Sequence, residues 1–168
     1  MEVEKIDILK RSDKVAFFGV PDAEGANYTF HRMKGFTTLS TAKNPTEYSR
    51  RYVDEEAERT DVVGYSPSMS FEFDRAKDNA VHDDIISIYD GEKLGGDAVR
   101  PIVIVDMATA EGESNAVYRT FSIIPDSEGS GTDAYIYSGT FRSAGEKQIG
   151  TATSADGWKT ITFSKVSE

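Results

Sequence analysis

The run Ser68-Met69-Ser70-Phe71-Glu72-Phe73-Asp74 alternates without a break, with Met69, Phe71 and Phe73 on one side and Ser70, Glu72 and Asp74 on the other. Successive side chains of a strand point to opposite faces, so a period of two predicts a half-buried β-strand. Ile102-Val103-Ile104-Val105 is a continuous β-branched run, the pattern of a central strand covered on both faces. Further strands are predicted at 14–20, 28–33, 117–124, 134–142, 147–153 and 159–166, separated by Gly, Asp, Asn and Ser. Asp22-Ala23-Glu24-Gly25 divides the first two of these, and the run from Asp126 to Gly131 divides the fifth strand from the sixth. Ser154-Ala155-Asp156-Gly157 reads as a hairpin turn, because an Asp-Gly pair readily supplies positive φ angles. The last three strands are then expected to form an antiparallel meander. The fold class that follows is mainly β, built from many short strands.

One helix interrupts the strands. Asp78-Asn79 offers an N-cap, Asp83 and Asp84 suit the positive end of the helix dipole, and Val81, Ile85, Ile88 and Tyr89 recur at helical spacing. Gly91, followed by Gly95-Gly96, marks its end. A lone helix of about 12 residues in such a chain is expected to flank the open edge or end of a sandwich.

Charge and composition remove whole classes of function. At 168 residues the chain suits one domain, and with 19 Lys and Arg against 29 Asp and Glu its net charge is −10. Gripping nucleic acid takes Lys and Arg to displace counterions, so that role is disfavoured, whereas a surface that duplex DNA passes without sticking suits the balance. Zero cysteines exclude disulfides, thiolate metal sites and thiol nucleophiles. No apolar stretch reaches the roughly 20 residues a membrane span needs, and the start of the chain has no basic region leading into an apolar core.

The chemical motifs are weak. His82-Asp83-Asp84 with Asp74 and Asp78 invites a metal, but consecutive helix residues diverge by about 100° and cannot converge on one ion; a half-exposed histidine among N-terminal helix acids is expected. The acids at Asp54, Glu55, Glu56 and Glu58 lack the spacing and central Gly of a calcium loop. The Gly-rich run from Gly91 to Gly96 follows a helix, whereas a phosphate loop precedes one. No Gly-x-Ser-x-Gly elbow is present. No enzyme activity, catalytic residue, metal or cofactor is expected. Trp158 with Tyr135 and Tyr137 would offer a sugar platform, which makes a lectin-like, carbohydrate-binding β-sandwich the alternative class.

Residues 45–64 do not suit an isolated monomer, being long, polar and poor in core-forming side chains. Two forms fit: a solvated flap or short surface helix, or a long hairpin with arms at 47–53 and 59–64 and the acidic run as its tip. A hairpin that buries little of its own surface is marginal alone, and gains a purpose if Tyr48 and Tyr52 anchor it on another subunit while Arg50 and Arg51 meet a neighbour's acids.

The stretch from Lys43 to Glu55 (Lys-Asn-Pro-Thr-Glu-Tyr-Ser-Arg-Arg-Tyr-Val-Asp-Glu) resembles the tail tube, or major tail, proteins of long-tailed phages and related prophages. So do the runs Arg59 to Pro67, Phe71-Glu72-Phe73-Asp74, Asn79 to Ile85, and Ser138-Gly139-Thr140-Phe141 through Gly157 to Phe163, in order over most of residues 12–166. The resemblance implies a structural subunit: a mainly β, β-sandwich or barrel-like domain at 14–168 flanked by one helix, with a long hairpin at about 45–64, an arm at 1–13, and hexameric rings stacked into a tube around double-stranded DNA. It further implies a bore lined by acids, with Glu72 and Asp74 as lumen candidates. Interface candidates are Tyr48, Arg50, Arg51, Tyr52, Glu55 and Arg59 in the hairpin, and Val3, Ile6 and Ile8 in the arm. The implied partners are other copies of the chain and the tape measure, tail terminator and distal tail proteins, with no membrane. The implied location is the virion tail, assembled in the host cytoplasm. Non-contractile tails, contractile tails and bacteriocin-like particles are equally compatible.

Overall fold

Strands account for most of the chain in a computed structural model that describes residues 6–108 and 113–167. In chain order they are β1 (Lys14–Pro21), β2 (Tyr28–Arg32), β3 (Phe36–Ala42), β4 (Pro45–Arg50), β5 (Arg59–Tyr65) and β6 (Ser68–Asp74), then the helix α1 (Ala80–Gly91). After it come β7 (Val99–Asp106), β8 (Glu113–Ser130), β9 (Ile136–Ser143), β10 (Gln148–Thr153) and β11 (Thr160–Lys165). No helix among the described residues is long and apolar enough to cross a membrane.

Nine strands form one antiparallel sheet in the order β10-β11-β2-β1-β7-β8-β9-β6-β3, and β10 also pairs with β8. That second pairing (Ile149 opposite Val117, Thr151 opposite Asn115) closes β1, β2, β11, β10, β8 and β7 into a barrel. The seam between β2 and β11 is short, with Thr160 opposite His31 and Ile161 opposite Phe30. β8 makes both structures possible. Its first part pairs with β10, and its second part pairs with β9, which carries β6 and β3 over the outside of the barrel.

Two cores result, and alternation assigns each side chain to one of them. Val15 and Phe17 of β1 and Val103 and Val105 of β7 fill the barrel with Ala116, Ala152 and Ile161. Ala16, Phe18 and Ile102 point the other way and meet Met69, Phe71, Phe73, Tyr137 and Phe141 in a sandwich core. The central-strand reading of 102–105 therefore holds: its side chains are divided between two apolar layers. The helix lies over the sandwich core through Val81, Ile85, Ile86, Ile88 and Tyr89.

Local chemistry fixes the turns. The Asn79 side chain accepts the His82 N–H at 3.2 Å as N-cap. Asp22 accepts the Ala26 N–H, and Gly25 takes φ 73°. In the β10–β11 turn, hydrogen bonds from the Thr160 hydroxyl and N–H hold the Asp156 carboxyl well below the usual range, and Gly157 takes φ 73°.

The structure departs from the expected strands and turns in several places. β3 is an unpredicted strand. The run from Asp126 to Ser130 continues β8 through register shifts between Pro125 and Ser127 and between Glu128 and Ser130, so the turn begins later. β10 and β11 form a hairpin, but β10 pairs with β8 instead of β9, so the last three strands are no meander. The helix ends at Gly91 as expected, but the left-handed cap is the next residue, Glu92, at φ 44°.

Candidate functional site

Three surfaces carry the features that set this chain apart: a hydroxyl-lined sheet face, a projecting hairpin, and a groove at the open side of the sandwich.

The outer face of β3, β6, β9 and β8 is built in cross-strand rows. Thr38, Glu72, Ser138 and Ser127 make one row, and Ser40, Ser70, Thr140 and Ile124 make the next. Ser127 and Ser138 place their hydroxyl oxygens 2.8 Å apart. Glu72 is half-buried, its Oε1 accepting from the Thr37 hydroxyl at 3.4 Å, while Asp74 is exposed at the end of β6. The wall is thus short and polar, with both lumen candidates on it. At the far end of β6, Arg142 pairs with Ser68. The opposite face of these strands is the aromatic one, where Phe71 stacks on Phe141 at 4.2 Å between centroids. Among the described residues β3 is the free edge of the nine-stranded sheet, since β10 at the other end is paired on both sides. The Arg11 guanidinium blunts this edge by donating to the carbonyls of Leu39 and Lys14.

The segment at 45–64 is a hairpin. β4 and β5 form their own two-stranded sheet, with a register shift after Thr46, and no side chain of either belongs to the two cores. Alternation puts Tyr48, Arg50 and Tyr52 on one face, where the Arg50 guanidinium lies 5.0 and 4.9 Å from the two ring centroids. Arg50 is therefore held by its own hairpin. Arg59 lies 3.4 Å from Asp61, and Arg51 and Glu55 are exposed. Val53, at the tip, is fully exposed. In the arm, Ile6 and Ile8 are about 80% exposed, and Leu9 is exposed with them; Val3 lies outside the described residues.

The groove was not legible beforehand. It encloses about 460 Å³ between the base of the hairpin at Tyr65 and Pro67 and the outer face of the barrel. Its floor includes Ile104 and Val117, paired across β7 and β8, and its cations are Lys43, Arg119 and Lys147. The signal that would have found it is a row of partners, Ala16, Ile104, Val117 and Ile149, which becomes apparent only when four strands are in register.

The remaining candidates disperse. His82 is fully buried, not half-exposed: its ring stacks on Phe73 at 4.2 Å, Nε2–H donates to the Lys34 carbonyl at 2.8 Å, and Nδ1 accepts the Ala76 N–H. Both ring nitrogens are taken by backbone, and burial pushes the imidazole pKa down. Among the described residues no group of three or more His, Asp or Glu converges as a metal site would. The sugar platform is not assembled, because Tyr137 is buried in the sandwich core while Trp158 packs against the barrel core.

No family model matches this chain, and no curated protein does. Among solved structures, a chain of the 6-fold symmetrised cryo-EM structure of the anti-feeding prophage (AFP) baseplate is similar at a TM-score of 0.44 and 9% identity, with 89% of this chain and 97% of that chain covered.

Proposed function

We propose that this chain is a non-enzymatic structural subunit of a phage-type tail tube, which assembles with copies of itself into stacked rings around a bore for double-stranded DNA. The observation that carries the reading is the hairpin Pro45–Tyr65: it leaves the body of the fold, owns no core, and displays Tyr48, Tyr52 and Val53 to solvent. A two-stranded ribbon of this kind is marginal alone, and a docking surface on a neighbouring subunit gives its apolar residues somewhere to go. The free edge of β3 supports the same reading, since unpaired edge groups are satisfied when sheets of adjacent subunits join.

The hydroxyl-lined face supports the conduit. Duplex DNA carries about one negative charge per 1.7 Å of axis, and a wall rich in Lys and Arg would bind it by releasing counterions. A wall of Ser and Thr with Glu72 and Asp74 carries Arg142 as the cation at its far end, and its two acids repel phosphates weakly along the rest of the bore.

Negative-stain electron microscopy of the purified protein tests this, with rings or tubes expected. Deleting residues 47–60 is expected to leave a folded subunit that no longer polymerises. Wild-type protein that stays a single particle at every concentration, or a deletant that makes normal tubes, refutes the proposal.

A further inference from the structure

The groove between the hairpin base and the barrel runs against the charge of the chain. Acids outnumber bases 29 to 19 overall, yet the groove is lined by Lys43, Arg119 and Lys147 and by no carboxylate. Its floor is apolar, and the Val117–Ile149 pair extends that floor outward, with Val117 37% and Ile149 57% exposed. Neither Lys43, Arg119 nor Lys147 forms an ion pair among the described residues. The hairpin tip has the complementary make-up. Residues 53–58 read Val-Asp-Glu-Glu-Ala-Glu, four carboxylates and no cation around a fully exposed valine. None of those carboxylates has an ion-pair partner among the described residues.

A chain cannot satisfy both surfaces by itself. Tyr65, in the groove wall, pairs with Pro45 at the hairpin base, and six strand residues carry the tip roughly 20 Å away from it. An intact antiparallel ladder does not fold back on its own root.

We propose that the groove is the receptor for the hairpin tip of a second copy, with Val53 seated on the Ile104–Val117 floor and the carboxylates of Asp54, Glu55 and Glu56 facing Lys43, Arg119 and Lys147. This rests on the self-assembly reading and names the contact that would drive it. Each copy is donor and acceptor at different surfaces, so the contact is heterologous and propagates into rings or stacks. The charge pairs select partner and register, and the valine supplies the desolvated anchor.

The chain has no cysteine, so introduced thiols report the contact directly. Val53→Cys protein and Lys147→Cys protein are mixed, allowed to assemble and mildly oxidised; a disulfide between the two variants is expected. In a second arm, Glu55→Lys with Glu56→Lys is expected to lower assembly at least tenfold, as is Arg119→Glu with Lys147→Glu, each variant first shown to be folded by circular dichroism. All four changes in one chain are expected to restore assembly. Tubes that form normally without the Val53–Lys147 disulfide overturn the groove assignment and leave the tube reading standing, as does an Ile8→Cys arm that captures Lys147→Cys in its place. Failure of the four-residue swap to restore assembly also overturns the assignment. Wild-type protein that remains monomeric, together with no disulfide between the Val53→Cys and Lys147→Cys variants, sinks both.

Discussion

Arg100 Nε–H donates to Asp84 Oδ2 at 2.8 Å, tying the helix to the central strand β7 with both side chains about nine-tenths buried. The same guanidinium donates to the carbonyls of Asp97 and Val99, so it clamps the chain where it re-enters the sheet. Removing one partner of a buried pair strands the other charge, and that loss exceeds the net value of the pair.

Asp84→Ala is therefore expected to destabilise the fold by about 3 kcal/mol, read as a shift in the urea midpoint. Asp84→Leu combined with Arg100→Met is expected to be far milder than the sum of the single changes, because no charge is left unpaired. Additive losses would show that the two residues act independently.

His82 makes stability depend on pH in one direction. Burial lowers its folded pKa below the ordinary 6.5, so the folded protein resists a proton that the unfolded chain accepts. Its contribution is complete above pH 6.5 and is lost as pH falls from there through the folded pKa. Between pH 7.5 and 5.5 the urea midpoint is expected to fall further for wild type than for His82→Gln. Parallel profiles would remove His82 as the cause.

At Gly139 a methyl group would meet the Ile124 carbonyl oxygen at 2.6 Å, the Tyr89 hydroxyl at 2.7 Å and the Phe71 ring at 2.8 Å. Burial pushes the Tyr89 pKa up, so its hydroxyl stays protonated and donates to the Ser138 carbonyl beside this site. Gly139→Ala is expected to cost about 2 kcal/mol through overpacking and a weakened helix-to-sheet tie. A neutral result in a thermal melt would mean that the helix shifts freely over β9.

The helix ends at a strained residue. Glu92 sits at φ 44° and ψ 46°, a left-handed conformation in which a side chain crowds the backbone. Glu92→Gly is expected to add about 1 kcal/mol, close to 3 °C in Tm for a chain of this size.

Where the sequence was informative, one periodicity decided the matter; where it failed, a break in periodicity or a distant partner did. β6 alternates cleanly and was placed residue for residue, with Met69, Phe71 and Phe73 buried. β3 escaped because a register shift between Phe36 and Thr38 spoils its alternation, leaving Phe36, Leu39 and Thr41 on the inner face at uneven spacing. The end of β8 looked like a loop for the same reason, its Asp and Gly residues serving bulges instead of a turn. His82 is expected half-exposed because acids surround it in the chain, yet it falls three and four residues before Ile85 and Ile86 on the apolar side of the helix, and that periodicity is the signal the acids masked. Barrel closure was not, because β8 pairing with β10 joins strands that a local turn does not connect. The groove depends on that closure and was hidden with it.

Glu72 and Asp74 give the conduit its electrostatic test. Both lie on the hydroxyl-lined face, and neither contributes a side chain to the apolar cores, so reversing their charge should leave the subunit folded and assembling. Tubes of Glu72→Lys with Asp74→Lys would present repeated cations to a duplex in the bore, and phosphate neutralisation releases condensed counterions. Such tubes are expected to retain linear double-stranded DNA at 50 mM salt and to release it by 200 mM, the steep salt dependence of backbone binding. Wild-type tubes are expected to retain none at either salt. Ala23→Lys with Glu24→Lys, both exposed in the β1–β2 turn, serves as the control, since it adds two cations away from this face and leaves the turn-forming Asp22 in place. Equal retention by both variants would show that added cations act anywhere on the surface, and no retention by either would place Glu72 and Asp74 outside the path of the DNA.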